Sequence, residues 1–343
     1  VTGGTGSLGK VLTKRLLTGE LGLPKKITVF SRDEAKQHEM RLAYQHRHTA
    51  TDEVIYHNFE QLLQFRIGDV RDIHSVSTVL RDADVVFNAA ALKQVPSCEY
   101  FPFEAVQTNI IGAENIVRAI REHHLHVDTV VGVSTDKACK PVNVMGMTKA
   151  IQERIFVRAN LDSSGTRFIC VRYGNVLASR GSVIPLFHEQ IRRGGPVTIT
   201  TPEMTRFLLS LEQAVDTIFA ALKGGNPGET YIPRVPSARV TDIAEALIAD
   251  RPIEMKITGI RPGEKVHEIL VSEEEAHRTL PRGDYYVITP MLPELVTEKV
   301  ESPLEKEYSS NDILMTRREL DELLQKHNLM AEDRLVYSED VLA

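Results

Sequence analysis

The sequence predicts an α/β fold: a doubly wound parallel sheet of Rossmann type, joined to a smaller C-terminal substrate domain. Three observations predict it. The chain opens on a glycine-rich turn, Val1-Thr2-Gly3-Gly4-Thr5-Gly6-Ser7-Leu8-Gly9, followed by helix-periodic residues from Lys10 to Leu17. Short apolar, β-branched runs then alternate with helix-like stretches as far as Tyr173, the pattern of strands buried on both faces. Polar residues cluster just after one of those runs, from Ser134 to Lys149, and reactive groups in parallel sheets gather at the carboxyl ends of strands.

The glycines satisfy both G-x-G-x-x-G (Gly4, Gly6, Gly9) and T-G-x-x-G-x-x-G (Gly3, Gly6, Gly9). Such a turn lets a pyrophosphate approach backbone amides, with Ser7 and Leu8 opening a helix whose N-terminus faces the anion. Ile27 to Phe30 reads as the next strand. An acidic residue after it would accept from a ribose 2′-hydroxyl, whereas Ser31 and Arg32 offer a donor and a cation for a 2′-phosphate, which favours NADP. Ser31 and Glu34 also have the spacing of a capping box. Leu63 to Ile67 reads as a strand ending at Gly68-Asp69-Val70, and Val85 to Ala91 as another whose small end residues, Ala89 and Ala90, admit a cofactor closely.

Phe103 to Arg121 reads as a long helix, Thr129 to Val133 as a strand, Thr148 to Val157 as a helix and Phe168 to Tyr173 as a strand. Between Arg41 and Asn58, His46, His48 and His57 lack the spacing of a metal pair, so no metal is expected. Glu229 to Ile232 reads as a strand and Thr241 to Ile248 as a helix capped by Thr241. A Thr316/Glu319 capping box opens a helix from Arg317 to Gln325. The expected division is 1–174 for the dinucleotide domain, with a strand near 229–235 returning to it, 175–283 for the substrate domain, and 284–343 for an extension.

Composition excludes some partners. A net charge of -6 and a pI near 6.1 give no long-range pull toward nucleic acid or anionic membrane. No apolar run approaches the length of a membrane span. Cys98, Cys139 and Cys170 are odd in number and far apart, which suits a reducing, cytoplasmic setting. The chain starts at Val1 within what reads as the end of a strand, so further N-terminal residues are expected.

Ser134 or Thr135, with Lys149, resembles the Ser and Lys of the Ser-Tyr-Lys set of short-chain dehydrogenases, with Met145 where the Tyr is expected. A thioether has no exchangeable proton, so Met145 is a substitute in position and not a base. Together with the glycine turn, Ser31-Arg32, Ser134-Thr135-Asp136-Lys137-Ala138, Tyr173-Gly174-Asn175-Val176 and Arg261-Pro262-Gly263-Glu264-Lys265, the chain resembles the UDP-N-acetylglucosamine 4,6-dehydratases of bacterial surface-polysaccharide synthesis, up to about His267. Its Met145 resembles that of the subgroup that inverts C5. The resemblance implies a homo-oligomer that binds UDP-N-acetylglucosamine or a close UDP-N-acetylhexosamine. It implies that Asp69 and Val70 contact adenine, that Ala89, Ala90, Lys93, Asn109, Lys149 and Tyr173 serve the cofactor, and that Asn109 steadies Lys149. Lys93, Asn175, Ser182, Val183, Arg206, Arg261 and Glu264 would hold the UDP-sugar, in loops around Arg180-Gly181 and Thr205-Arg206-Phe207. Lys137 would act at C5, Asp136 would protonate the departing C6 hydroxyl, and Thr135 would complete the set. With no Tyr, Lys137 also becomes the base for the C4 hydroxyl, which requires burial to draw its pKa toward neutrality. A UDP-hexose 4-epimerase and a non-catalytic NADP-sensing protein of the same fold stay open. The epimerase needs no acid at C6, which makes Asp136 the discriminating residue.

Overall fold

The computed structural model describes residues 1–45, 59–163, 165–177, 182–260, 262–296 and 303–331. Helix α1 (Ser7–Leu17) follows the glycine turn and leads to β1 (Ile27–Ser31), α2 (Glu34–Gln45), β2 (Leu63–Ile67), α3 (Ile73–Leu80) and β3 (Val85–Asn88). Next come α4 (Gly112–Glu122), β4 (Thr129–Thr135), α5 (Val144–Asp162) and β5 (Arg167–Tyr173). The second half contains α6 (Val183–Arg192), β6 (Val197–Ile199), β7 (Thr205–Phe207), α7 (Leu211–Gly224), β8 (Thr230–Pro233), β9 (Ser237–Arg239), α8 (Val240–Ile248), β10 (Met255–Ile257) and β11 (Ile269–Val271). It ends with β12 (Thr279–Arg282), β13 (Tyr285–Ile288), β14 (Tyr308–Ser309) and α9 (Arg317–Lys326).

Strands β3, β4, β5 and β8 pair in parallel, and β1 pairs in parallel with β2. Thr2 bridges both Phe30 of β1 and Asn88 of β3, so the residues before the glycine turn lie between the two halves. The resulting order, β2-β1-Thr2-β3-β4-β5-β8, reverses its winding between Thr2 and β3. At such a reversal the loops diverge and leave a crevice beyond the strand ends. Alternation along the strands fills both faces: Val130, Phe168 and Cys170 pack with α3, α4 and α5, while Val131, Ile169 and Val171 pack with α1 and α7.

A second core gathers Ile184 and Phe187 of α6, Ala244 and Leu247 of α8, and Leu320 and Leu324 of α9. The strand expected to return near 229–235 is β8, which pairs with β5. The expected boundary at 283 cuts the turn of the β12–β13 hairpin, which adds antiparallel to β8 and so belongs to the main sheet. Pairing of that kind is set by a distant edge and leaves no local signature.

Three local readings change. The Asp33 carboxylate accepts from the Lys36 amide at 3.0 Å, so the first turn of α2 is capped there, while Ser31 Oγ accepts from Gln37 Nε2 at 3.0 Å. Thr241 lies inside α8, which starts at Val240 directly from β9 without a side-chain cap. The long helix after Phe103 is interrupted by a π-turn, Val106–Ile111, which contains Asn109. The Thr316/Glu319 capping box forms as expected. His46, His48, His57, Arg180 and Gly181 lie outside the described residues. No helix among the described residues is long and apolar enough to cross a membrane.

Candidate active site

At the winding reversal the glycine turn and the end of β3 come together as a dinucleotide site requires. Gly3 has φ +63°, and a Cβ there would stand 2.8 Å from the Ala90 backbone, so the turn and the end of β3 touch as only glycine permits. Gly6 is the N-cap of α1 and no side chain reaches the amides that follow, which leaves the N–H groups of Ser7, Leu8 and Gly9 for an anion. The residues present therefore fit a pyrophosphate. On the adenosine side, Arg32 is mostly exposed and meets Asp69 only at 3.7 Å, while Arg71 holds Asp69 at 2.7 Å. Burial pulls the Asp69 carboxyl upward, and the hydrogen bonds and charge of Arg71 outweigh it. Val70 is buried, and its carbonyl accepts from Asn115 at 2.9 Å.

The stretch from Ser134 to Lys149 forms the end of β4, a single 3-10 turn over Asp136–Ala138, and the start of α5. Strand alternation separates the two candidates for the Ser position. Ser134 donates to buried Glu153, on the face away from the turn, while Thr135 donates to Asp136 Oδ1 at 2.8 Å. Asn143 caps α5 by accepting from the Gly146 amide at 2.8 Å. A Cβ at Gly146 would lie 2.1 Å from the Lys137 carbonyl oxygen, so that glycine lets the helix seat against the turn.

The buried face of α5 is polar where apolar residues would be ordinary: Lys149, Gln152 and Glu153. Lys149 Nζ donates to the Val133 carbonyl at 2.6 Å and to Gln152 Oε1 at 2.7 Å, and burial lowers its pKa to about 8. Asn109 is fully buried and makes no hydrogen bond to Lys149. Its amide donates to the Leu92 carbonyl at 3.0 Å and to the hydroxyl of Thr148 at 2.9 Å, so it fixes the neighbour of Lys149 and the loop carrying exposed Lys93. Met145 packs with Cys98 and Ala105 in a small apolar cluster. Tyr173 ends β5, paired with Thr135, and burial pushes its phenol well above its ordinary value.

Asp136 and Lys137 lie in a buried charge cluster that includes a residue the sequence reading missed. Lys137 Nζ is 3.1 Å from Asp136 Oδ1, 3.1 Å from Asn175 Oδ1 and 3.6 Å from Glu268 Oε1, and Arg206 Nε is 3.7 Å from the same Glu268 oxygen. Asp136 Oδ2 and Glu268 Oε2 are buried without a hydrogen-bond partner among the described residues. Burial alone would neutralise Asp136, but the Lys137 ammonium and the Thr135 hydroxyl hold it below its ordinary value. Burial, with the Asp136 charge adding to it, pushes Glu268 up.

The expectation that Lys137 is drawn toward neutrality by burial is not met by the residues around it. Burial lowers its pKa, but the charges of Asp136 and Glu268 outweigh burial and raise it. Glu268 follows the Arg261–Lys265 motif by three residues, and that adjacency was its only signal in the sequence.

On the substrate side, Ser182 precedes α6, which starts at Val183, and its buried hydroxyl makes no hydrogen bond among the described residues. Arg206 donates to the carbonyls of Thr205 and Val266 at 2.7 and 3.2 Å. Arg261 lies outside the described residues, but the turn around it docks on the central stretch. Asn143 Nδ2 donates to the Gly263 carbonyl at 3.0 Å, and Lys265 Nζ donates to the Cys139 carbonyl. Glu264, half-buried, sits in this turn.

Residues 1–290 match the family described as polysaccharide biosynthesis proteins. A UDP-glucose 4-epimerase of Rickettsia conorii is 44% identical over 293 residues, 84% of this chain and 81% of the relative. The inverting UDP-N-acetylglucosamine 4,6-dehydratase of Campylobacter jejuni is 43% identical over 295 residues, 85% and 82% of the two chains. Among solved structures, Pen from Bacillus thuringiensis superimposes with a TM-score of 0.84 at 33% identity, covering 96% of this chain and 97% of that one. The dTDP-glucose 4,6-dehydratase DesIV of Streptomyces venezuelae, solved with NAD, shares the fold at a TM-score of 0.63 and 21% identity, over 77% and 85% of the two chains. The chain therefore belongs to the polysaccharide biosynthesis protein family, built on the Rossmann fold of extended short-chain dehydrogenases/reductases and related to nucleotide-sugar dehydratases and epimerases.

Proposed function

We infer that this chain dehydrates UDP-N-acetylglucosamine across C5 and C6, yielding a UDP-2-acetamido-2,6-dideoxy-4-hexulose with C5 inverted, for the amino sugars of a bacterial surface polysaccharide. The observation that carries this reading is the Asp136–Lys137 pair at the carboxyl end of β4, buried at Asp136, half-buried at Lys137 and opposite Glu268. When bound, a nicotinamide dinucleotide accepts the C4 hydride and later supplies it to C6. The residues of the chain handle protons and position: Lys137 acts at C4 and C5, Lys149 holds the ribose, and Ser182, Arg206, Arg261 and Glu264 take the nucleotide end. Asp136 fixes Lys137. The Lys137 ammonium and the Thr135 hydroxyl hold the Asp136 carboxyl below the ordinary value, which disfavours it as the proton donor at C6.

The names of the Rickettsia relatives favour a second reading, a UDP-hexose 4-epimerase. Mass spectrometry separates the two: a dehydratase product is lighter by one water, whereas an epimerase product has the mass of its substrate. An unchanged mass with a changed C4 configuration would overturn the dehydratase reading.

The half-free guanidinium of Arg32, with only a long contact to Asp69, supports NADP as the cofactor. Arg32→Asp is expected to weaken NADP about 10- to 100-fold, the loss of a charge-assisted hydrogen bond of about 1.5 to 3 kcal/mol, and to strengthen NAD. Calorimetric titration of both cofactors checks this. Equal affinities in the unmodified protein would remove the role of Arg32.

A further inference from the structure

Lys137 is asked to act twice in the proposed reaction, once at the C4 hydroxyl and once at C5. An amine that has taken one proton cannot take a second, so the first must go elsewhere before C5 is reached. Asp136 is nearer and its Oδ2 also has no partner among the described residues. The Lys137 ammonium and the Thr135 hydroxyl nevertheless hold its carboxyl below the ordinary value, which makes it a poor proton store, whereas burial and the Asp136 charge push Glu268 up. Glu268 is placed to receive. Its Oε1 lies 3.6 Å from Lys137 Nζ, so an approach of about half an ångström makes a hydrogen bond, and its Oε2 is buried and unpartnered among the described residues. Its position is fixed by the C-terminal segment: the Glu268 amide donates to Ser310 Oγ at 2.9 Å, and the Ser310 amide donates to the Glu268 carbonyl at 2.8 Å.

Resting on the dehydratase reading, we propose that Glu268 takes from Lys137 the proton of the C4 hydroxyl and delivers it to the departing C6 hydroxyl. The cycle starts with Lys137 as the amine and Glu268 as the carboxylate. Lys137 takes the hydroxyl proton as C4 is oxidised to the ketone, then passes it to Glu268. The restored amine removes the C5 proton. The electron pair of that C–H bond forms the C5–C6 double bond as the C6–O bond breaks, and the Glu268 proton leaves with the hydroxyl as water. After C6 is reduced, Lys137 returns a proton to C5, and both residues regain their starting forms. Two protons are taken from the sugar and two are given back.

Entry into the cycle requires Lys137 to shed the proton that the charges of Asp136 and Glu268 favour. Glu268 must likewise start as the carboxylate against the burial and the Asp136 charge that push it up, and the cations facing it, Lys137, Arg206 and Lys265, oppose that push.

The test is Glu268→Gln, which keeps the shape and removes the proton-carrying oxygen, assayed with NADP and UDP-N-acetylglucosamine. Absorbance of the reduced cofactor should rise and persist, because C4 is oxidised once. Formation of the 6-methyl group should fall at least 100-fold, and C5 exchange with deuterated water should fall with it. Glu268→Ala should recover part of its turnover with added formate, while Ser310→Ala should lower turnover without that recovery. A Glu268→Gln protein that forms product within threefold of the unmodified rate, or that binds cofactor normally yet never reduces it, overturns the proposal. If the unmodified protein forms no 6-methyl group, the dehydratase reading falls first and this assignment with it.

Discussion

Lys137→Ala is expected to lower turnover by about 10²- to 10⁴-fold, the usual contribution of a positioned acid or base. It should abolish the transient absorbance of reduced cofactor, because the C4 hydroxyl then has no base, and it should abolish hydrogen exchange at C5 for the same reason. This distinguishes it from a change at Glu268, which leaves the first oxidation intact. The control is Met145→Leu. Met145 is buried against Cys98 and Ala105 and offers no proton, so a similar-sized apolar residue should keep turnover within about tenfold, or about 1.4 kcal/mol. Stopped-flow absorbance checks both variants. If Lys137→Ala still accumulates reduced cofactor, another group takes the C4 proton and the double role of Lys137 is lost.

Arg172→Ala is expected to destabilise the fold by about 3 to 5 kcal/mol, the cost of leaving buried charges unpaired. Arg172 is almost wholly buried on β5, 2.6 Å from Glu153 on α5 and 2.7 Å from Glu275 on the short helix Glu273–Ala276. It also donates to the Leu270 carbonyl at 2.9 Å, which ties the segment after Glu268 to the main sheet. Burial would raise Glu275, but Arg172 outweighs it and holds the carboxyl down at about 2, against an ordinary 4.5. The sign follows from that depression: the stabilisation is fully present above about 4.5 and is lost as the pH falls toward about 2. The difference between variant and unmodified protein should therefore be largest near neutrality and shrink in acid. Urea unfolding at neutral pH and at pH values below the ordinary carboxylate range measures it. A variant with an unchanged midpoint at neutral pH would show that the two carboxylates find other partners.

What the sequence disclosed, and what it did not, divides by range. The glycine turn, the β-branched strands and the Thr316/Glu319 cap are local patterns, and each appears where periodicity and spacing put it. Asp136 and Lys137 were legible because they directly follow a strand. Glu268 was not, since it reaches Lys137 from more than a hundred residues further along the chain, after β5 and most of the second core. The direction expected for Lys137 also reversed: burial was foreseeable, but the charge of Asp136, joined by that of the missed Glu268, outweighs it. Ser134 and Thr135 could not be told apart by composition, and the side-chain period of β4 separates them. The capping box at Ser31 and Glu34 failed because Asp33, a residue nearer the helix, caps it instead, which leaves Ser31 to Gln37.

The central claim is that this chain removes water from a UDP-N-acetylhexosamine by chemistry at C4, C5 and C6, and NMR of the product formed in deuterated water tests it most directly. The account predicts that UDP-N-acetylglucosamine and catalytic NADP give a 4-keto product with a new 6-methyl signal and deuterium at C5, delivered by Lys137, with no net consumption of cofactor. A product that keeps its 6-hydroxymethyl group and carries hydrogen at C5, altered only in configuration at C4, would contradict it.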